Sequence, residues 1–335
     1  MALVLHRDLH ERFVKNLDND KETLEYMMSE HLRMGGVYWG VTAMALLGRL
    51  DAARRDEIVD WVLSCADPRN PGGFGPNVGH DGDITATHYA VLVLSVYDAV
   101  DRLDADATAK FIAGLQQPDG SFSGDRWGEV DVRFAYCAVS SLTILDRLNV
   151  IDCDACVNWL LRCLNYDGAF GPLPRSESHA AYIFCAVQAL ALLGALDAID
   201  QDHLGWWLCE RQTPSGGFNG RPEKAPDVCY SWWILSALAA IDRVHWVDAS
   251  KLAHFIYQAQ DDEDGGIADR PGDLPDVFHT FFGLAGLSLL GQGGLAPIHP
   301  VYAIPTDVVQ RMGLPPVLLS CRVGAPAAPL PAAPA

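Results

Sequence analysis

The chain has 335 residues, 50% of them hydrophobic and 20% charged, with a formal net charge of −19. A chain this long and this apolar buries a sizeable core, in one large domain or two ordinary ones, which excludes disorder. The acidic balance, without a basic stripe, excludes a nucleic-acid binder, whose surface needs clustered Lys and Arg in excess to follow phosphates.

Residues 1–8 have neither the charged leader nor the long apolar run of a secretory signal, and no apolar run is long enough to span a bilayer. A cytoplasmic protein without a transmembrane segment is expected. Residues 1–30 are polar and charged, with only a weak helical pattern over 24–33. Met34-Gly35-Gly36-Val37-Tyr38-Trp39-Gly40-Val41 then opens an apolar helix that ends near Leu50.

From there a repeat governs the chain. A glycine turn recurs as Gly72-Gly73-Phe74, Gly120-Ser121-Phe122, Gly168-Ala169-Phe170, Gly216-Gly217-Phe218 and Gly265-Gly266-Ile267, with third positions 48, 48, 48 and 49 residues apart. Periods of this size mark repeat architectures. Amphipathic helical stretches precede the turns, as at 107–116, 153–164, 204–211 and 249–260, and more apolar ones follow, at 87–96, 134–145, 180–193, 230–240 and 281–290. Helices apolar nearly all round face two layers, so each unit reads as an outer helix, a turn and an inner helix. Linear solenoids carry polar capping repeats. None is visible here, so the prediction is an all-α fold, an α/α barrel of six helix pairs over residues 1–314, with no competing strand pattern. Residues 315–335 form a Pro/Ala-rich tail expected to be disordered.

Nine cysteines, an odd number scattered through apolar helical patterns, read as reduced core thiols. Cys153-Asp154-Ala155-Cys156 has no second Cys pair or His pair near it and reads as structural.

Aligned on the third turn position, Asp131, His179 and Asp227 each fall nine residues on, opening an inner helix. In a closed barrel these starts share one rim with Arg133, Cys229, Tyr230, Asp276 and His279, and helix N-termini point free N–H groups there. Asp227, Cys229 and His279 supply O, S and N donors, a set that suits zinc and leaves a fourth position open. Arg221 and Lys224, on the loop after Gly216, come near His179 and Tyr230, a donor set suited to a diphosphate. Trp39, Trp232, Trp233, Phe278, Phe281 and Phe282 offer an apolar interior for an isoprenoid tail. Each group has a plainer reading: Cys229 as a core thiol, Asp227 as an N-cap, His279 as a rim histidine, Arg221 and Lys224 as a solvated loop paired with Glu223, and the aromatics as core.

At these residues the sequence resembles the protein prenyltransferase β-subunit family, in its geranylgeranyltransferase type II (Rab) branch. The matching runs are Trp127-Gly128-Glu129-Val130-Asp131-Val132-Arg133-Phe134, Ser176-Glu177-Ser178-His179-Ala180, Trp206-Trp207-Leu208-Cys209-Glu210-Arg211-Gln212, residues 220–233, and Ala268-Asp269-Arg270-Pro271-Gly272-Asp273, within a similarity over about 25–312. The resemblance implies a zinc-dependent transferase, with zinc on Asp227, Cys229 and His279 and a catalytic diphosphate pocket of His179, Arg221, Lys224 and Tyr230. It implies geranylgeranyl diphosphate as the lipid, with Gly35, Trp39, Arg133, Trp233 and Phe278 around it. It also implies a separate prenyltransferase α subunit and a Rab GTPase presented by a Rab escort protein. There are departures from the family pattern. Gly35 stands where the type II branch has a serine that lengthens the cavity, His88 where it has a leucine, and Ala181 where the family has glycine.

Asp276 leaves magnesium assistance open. Two rival readings share the barrel. A triterpene-cyclase-like enzyme calls for an Asp-x-Asp-Asp motif on the inner wall, which is absent, and a non-catalytic binding barrel calls for no metal.

Overall fold

In a computed structural model of the chain, residues 4–17, 19 and 21–315 are described. They form α1 (Arg7–Asn16), α2 (Leu24–Met28), α3 (Arg33–Leu46), α4 (Arg55–Ser64), α5 (Ile84–Val96), α6 (Ala105–Ala113), α7 (Val132–Ile144), α8 (Cys153–Arg162), α9 (Ala180–Leu192), α10 (Gln201–Cys209), α11 (Cys229–Ala240), α12 (Ala249–Gln258), α13 (Val277–Leu289) and α14 (Thr306–Arg311). Among the described residues there is no extended strand, only isolated bridges such as Phe74 to Asp83. None of the described helices is long and apolar enough to cross a membrane, and every described cysteine is a free thiol.

The six apolar helices close a ring. Each of α3, α5, α7, α9, α11 and α13 packs on the next, and α13 packs back on α3. Their side chains are buried on nearly every face, as the sequence pattern predicts. Four outer helices, α6, α8, α10 and α12, are started by aspartates at a constant spacing: Asp104, Asp152, Asp200 and Asp248 accept the N–H groups of Ala107, Ala155, His203 and Lys251 at 3.0, 2.8, 3.0 and 3.0 Å. An aspartate at this position satisfies an N–H that the helix itself leaves unpaired.

The turn glycines set how closely the units stack. Gly216 has φ +93°, and a Cβ there would lie 2.4 Å from the Lys251 carbonyl oxygen in the following outer helix. Gly265, with φ +82°, meets the Leu9 carbonyl oxygen at 2.3 Å in the same way. The helix that receives the last turn is therefore α1, which makes the N-terminus the sixth outer helix.

The sequence pattern gave residues 1–30 only a weak helix at 24–33, so α1 is an addition. Its fully buried core contact is His10, where the matching positions of other outer helices hold Thr108, Cys156, Leu204 and Leu252. A histidine breaks the apolar pattern there. Its Nδ1 accepts the Gly266 N–H at 2.9 Å and its Nε2 bonds Gln260 Oε1 at 2.9 Å. Burial lowers its pKa to about 4, which keeps the ring neutral and able to accept.

The end of the barrel away from the inner-helix starts is closed by residues 298–305. Tyr38 donates to the Ala303 carbonyl at 2.6 Å, Tyr136 to Val301 at 2.8 Å and Ser236 to Pro300 at 2.8 Å. Pro315 accepts from the Tyr302 hydroxyl at 3.2 Å. The rest of the tail expected to be disordered, 316–335, lies outside the described residues.

Candidate active site

The position nine residues past each turn begins an inner helix in all five units, and its side chain accepts a backbone N–H. Asp83 takes that of Ala86 at 2.8 Å, Asp131 that of Arg133 at 2.7 Å, His179 that of Ala181 at 3.2 Å, Asp227 that of Cys229 at 2.8 Å and Asp276 that of His279 at 2.8 Å. Capping therefore explains why a polar group stands at each start. It does not explain why two of these starts converge on further donors.

One ligand atom each of Asp227, Cys229 and His279 lies within 4.8 Å of the others. His279 Nε2 is 3.3 Å from Asp227 Oδ1, and Cys229, in the first turn of α11, is only 4% exposed. Burial works against a charged His279, but hydrogen bonds to Asp227 and Asp276 outweigh it and raise its pKa to about 9. Burial and then the Asp227 carboxylate push the Cys229 thiol well up. Burial also opposes charge on Asp227, yet the bonds from His279 and Cys229 hold its carboxyl below the usual range. An anionic oxygen, a buried sulfur and an imidazole nitrogen thus lie together, donor classes that zinc takes. The donor set fits zinc.

Asp276 does more than cap α13. Its Oδ2 is 2.6 Å from His279 Nδ1, which leaves Nε2 directed at Asp227. A carboxylate behind a ligating histidine fixes ring orientation and tautomer. The three-residue step from Asp276 to His279 on a helix is legible in sequence, but the role was not assigned there. The carboxylate considered for magnesium is the one engaged by His279.

The residues read from sequence as diphosphate donors lie one unit away. His179 Nδ1 accepts from Ala181, so in the neutral ring the proton sits on Nε2 and is donated to the Tyr230 hydroxyl at 3.3 Å. Burial and then the Arg221 cation lower the His179 pKa, in keeping with that neutral form. Burial, followed by Cys229 and Asp227, raises the Tyr230 pKa, so the phenol keeps its proton and can donate. Gly220 makes room for it, since a Cβ there would stand 2.3 Å from the Tyr230 ring. Arg221 donates to Glu177, a partner that the 48-residue register does not reveal. Lys224 is exposed, and its side chain has no hydrogen bond or ion pair among the described residues. Glu223, considered as its partner in the solvated-loop reading, forms no ion pair among the described residues.

Aromatic rings run inward from this pair. Centroids are 5.3 Å apart for Tyr230 and Trp233, 5.9 Å for Trp233 and Phe278, 5.0 Å for Phe278 and Trp39, and 6.0 Å for Trp39 and Tyr89. Trp39, Trp233 and Phe278 are thus one wall. Arg133 stands apart, 3.0 Å from Asp131 and over the rings of Phe134 and Tyr182 at 5.3 and 5.9 Å. It is linked to the site through Tyr182, whose ring lies 5.4 Å from that of His179 and which the sequence did not single out. Gly35 does not face open space: a Cβ there would touch the rings of Trp39 and Tyr89 at 3.2 Å. A groove of about 860 Å³ runs along the outer side of α3, with Trp39 and Phe278 at its inner edge.

Residues 5–304 match the prenyltransferase alpha-alpha toroid domain family. The chain is 61% identical over 309 residues to a probable geranylgeranyl transferase type-2 subunit beta of Dictyostelium discoideum, covering 92% of this chain and 91% of that one. It is 48% identical over 316 residues to the geranylgeranyl transferase type-2 subunit beta of Saccharomyces cerevisiae, covering 92% and 97%. The chain belongs to the type-2 geranylgeranyl transferase β-subunit family.

The architecture of this type-2 β-subunit family member extends to more distant toroids. Candida albicans protein geranylgeranyltransferase-I complexed with GGPP superposes with a TM-score of 0.84 at 21% identity, covering 92% of this chain and 98% of that one. A type II terpene cyclase, MstE from Scytonema, superposes with a TM-score of 0.58 at 14% identity, covering 85% and 98%. At those identities the likeness is one of fold. Within this family member the departures noted in sequence have definite places. His88 is buried, with Nδ1 3.0 Å from Ser141 Oγ and its ring 5.4 Å from that of Tyr136, and burial lowers its pKa to about 3. Ala181 supplies the N–H that orients His179.

Proposed function

We propose that this chain is the catalytic β subunit of a cytoplasmic protein geranylgeranyltransferase of type II. It moves the geranylgeranyl group of geranylgeranyl diphosphate to C-terminal cysteine thiols of Rab GTPases. An α subunit completes the heterodimer and a Rab escort protein presents the substrate; these partners come with the family resemblance. The observation that carries the reading is the convergence of Asp227, Cys229 and His279 beside His179, Tyr230 and Arg221 at one mouth.

Asp227, Cys229 and His279 would hold zinc, which would favour the thiolate form of a substrate thiol whose free pKa is about 8.5. In the overall reaction the thiol loses its proton, a carbon–sulfur bond forms at C1 of the lipid, and the C1–oxygen bond breaks with its electrons passing to diphosphate. The chain's own residues meet that charge. Tyr230 and His179 donate hydrogen bonds, while Arg221 and Lys224 bring positive charge; one preorganised donor of this kind is worth about 3 kcal/mol. The aromatic wall from Tyr230 to Trp39 keeps water from the allylic carbon and holds the tail.

The reading is tested by metal analysis of the purified chain, which should find about one zinc per chain, as a three-ligand site requires. Chelation should remove zinc and geranylgeranyl transfer together, and zinc should restore both. Full transfer by metal-free protein would sink the reading.

A further inference from the structure

The loops that carry the two proposed diphosphate cations treat them differently. Lys224 is exposed without a partner among the described residues, whereas Arg221 donates through Nη1 to Glu177 Oε2. Glu177 lies on the loop before α9, two residues ahead of His179, and Arg221 lies on the loop before α11, one residue past the Gly220 that makes room for Tyr230. The two loops are fixed to each other, since the Ala180 N–H donates to the Gly220 carbonyl at 2.9 Å. The side chains are 37% exposed for Arg221 and 62% for Glu177, so the pair sits at the water boundary, where a second anion can reach the arginine.

From this arrangement we infer that Glu177 is a positioning residue with two separable effects on Arg221. Its carboxylate oxygen accepts from Nη1 and fixes the guanidinium beside His179 and Tyr230, leaving the remaining N–H groups for diphosphate oxygens. Its negative charge opposes the incoming diphosphate and weakens the hold on it. The pair then favours release of inorganic pyrophosphate after transfer. A guanidinium has five donors in a planar fork, so one N–H serves the carboxylate while others stay directed at a phosphate. This inference rests on the proposed diphosphate site. It adds a residue that touches neither metal nor lipid.

Gln and Ala at position 177 separate the two effects, because Gln keeps an acceptor oxygen without the charge and Ala keeps neither. Inorganic pyrophosphate binding to the full chain is measured by calorimetry, with thermal unfolding confirming that each variant is folded. E177Q should bind pyrophosphate about 2- to 5-fold tighter than wild type, the range of one solvent-exposed charge contact. E177A should bind more weakly than E177Q, and in an R221Q background the Gln and Ala variants should become equal. In steady-state transfer E177Q should lower KM for the lipid diphosphate and make pyrophosphate a stronger product inhibitor. If E177Q binds pyrophosphate no tighter than wild type, or if Gln and Ala differ equally without Arg221, the role of Glu177 is overturned. If R221Q and K224Q both bind pyrophosphate as wild type does, the diphosphate site itself is wrong, which is a different failure.

Discussion

Asp83 and Asp227 occupy the same place in two units, nine residues past Phe74 and Phe218, and each accepts a backbone N–H at 2.8 Å. Their electrostatics are opposite. Burial pushes Asp83 up to about 6, and it forms no ion pair among the described residues. Asp227 is held low despite burial, because His279 faces it at 3.3 Å. What differs is the residue twelve past the next turn. Phe134 stands there after Phe122, and His279 after Ile267. His179 meets Tyr230 in that same slot, at 3.3 Å. The repeat therefore sets one helix start near its neighbour's first turn, and residue choice decides whether a polar pair such as Asp227 with His279 or His179 with Tyr230 forms there.

The largest expected effect separates the two aspartates directly. Cys229→Ser and Asp227→Asn should each lose bound zinc and reduce transfer to background, because a catalytic site with three protein ligands has none to spare. Asp83→Asn should keep both its zinc and its transfer rate. Metal content and single-turnover rates of the three variants decide the matter, and loss of zinc in Asp83→Asn would break the comparison.

The next effect tests the slot itself. Tyr230→Phe removes the donor proposed for the leaving group and should slow single turnover about 100-fold or more, at about 3 kcal/mol per donor. Tyr182→Phe changes the same slot one unit earlier, beside Asp131 and Arg133, and should stay within a few-fold of wild type. Zinc content should be unchanged in both. Equal slowing would mean that the anion site spans both slots and includes Arg133.

The same repeat decides how much of the site is legible in the sequence. The turn period, the six inner helices and the shared mouth follow from glycine spacing and apolar pattern, because a repeat copies its backbone even where side chains vary. Asp227, Cys229 and His279 were legible as a donor set for the same reason. Three features were not. Helix α1 hides because His10 stands at its buried position, and only the hydrogen bonds to Gln260 and Gly266 make a histidine fit there. Glu177 is 44 residues from Arg221, off the period, so loop conformation rather than register brings them together. Gly35 stands where the type II branch has a serine that lengthens the cavity, yet the rings of Trp39 and Tyr89 lie 3.2 Å from where its Cβ would be.

The smallest effect is a stability slope from Asp83. Its carboxyl has an unfolded value of 3.8 and a folded value of about 6, raised by burial first and by Asp125 after the bonds from Ala86 and Thr85 are counted. Below the unfolded value both states are protonated, and the group contributes nothing to the pH dependence. Between the two values the unfolded chain releases its proton while the folded chain retains it, so stability falls as pH rises through that window. Above the folded value both are ionised, and the cost stays constant at about 3 kcal/mol. Asp83→Asn keeps an oxygen to accept the Ala86 N–H but cannot ionise. It should therefore be more stable than wild type, with the gain larger at pH 7.5 than at pH 5 by about 1 kcal/mol. Urea denaturation of both proteins at the two pH values measures this. A gain that shrinks as pH rises would mean that Asp83 is stabilised as a carboxylate, and the contrast with Asp227 would vanish.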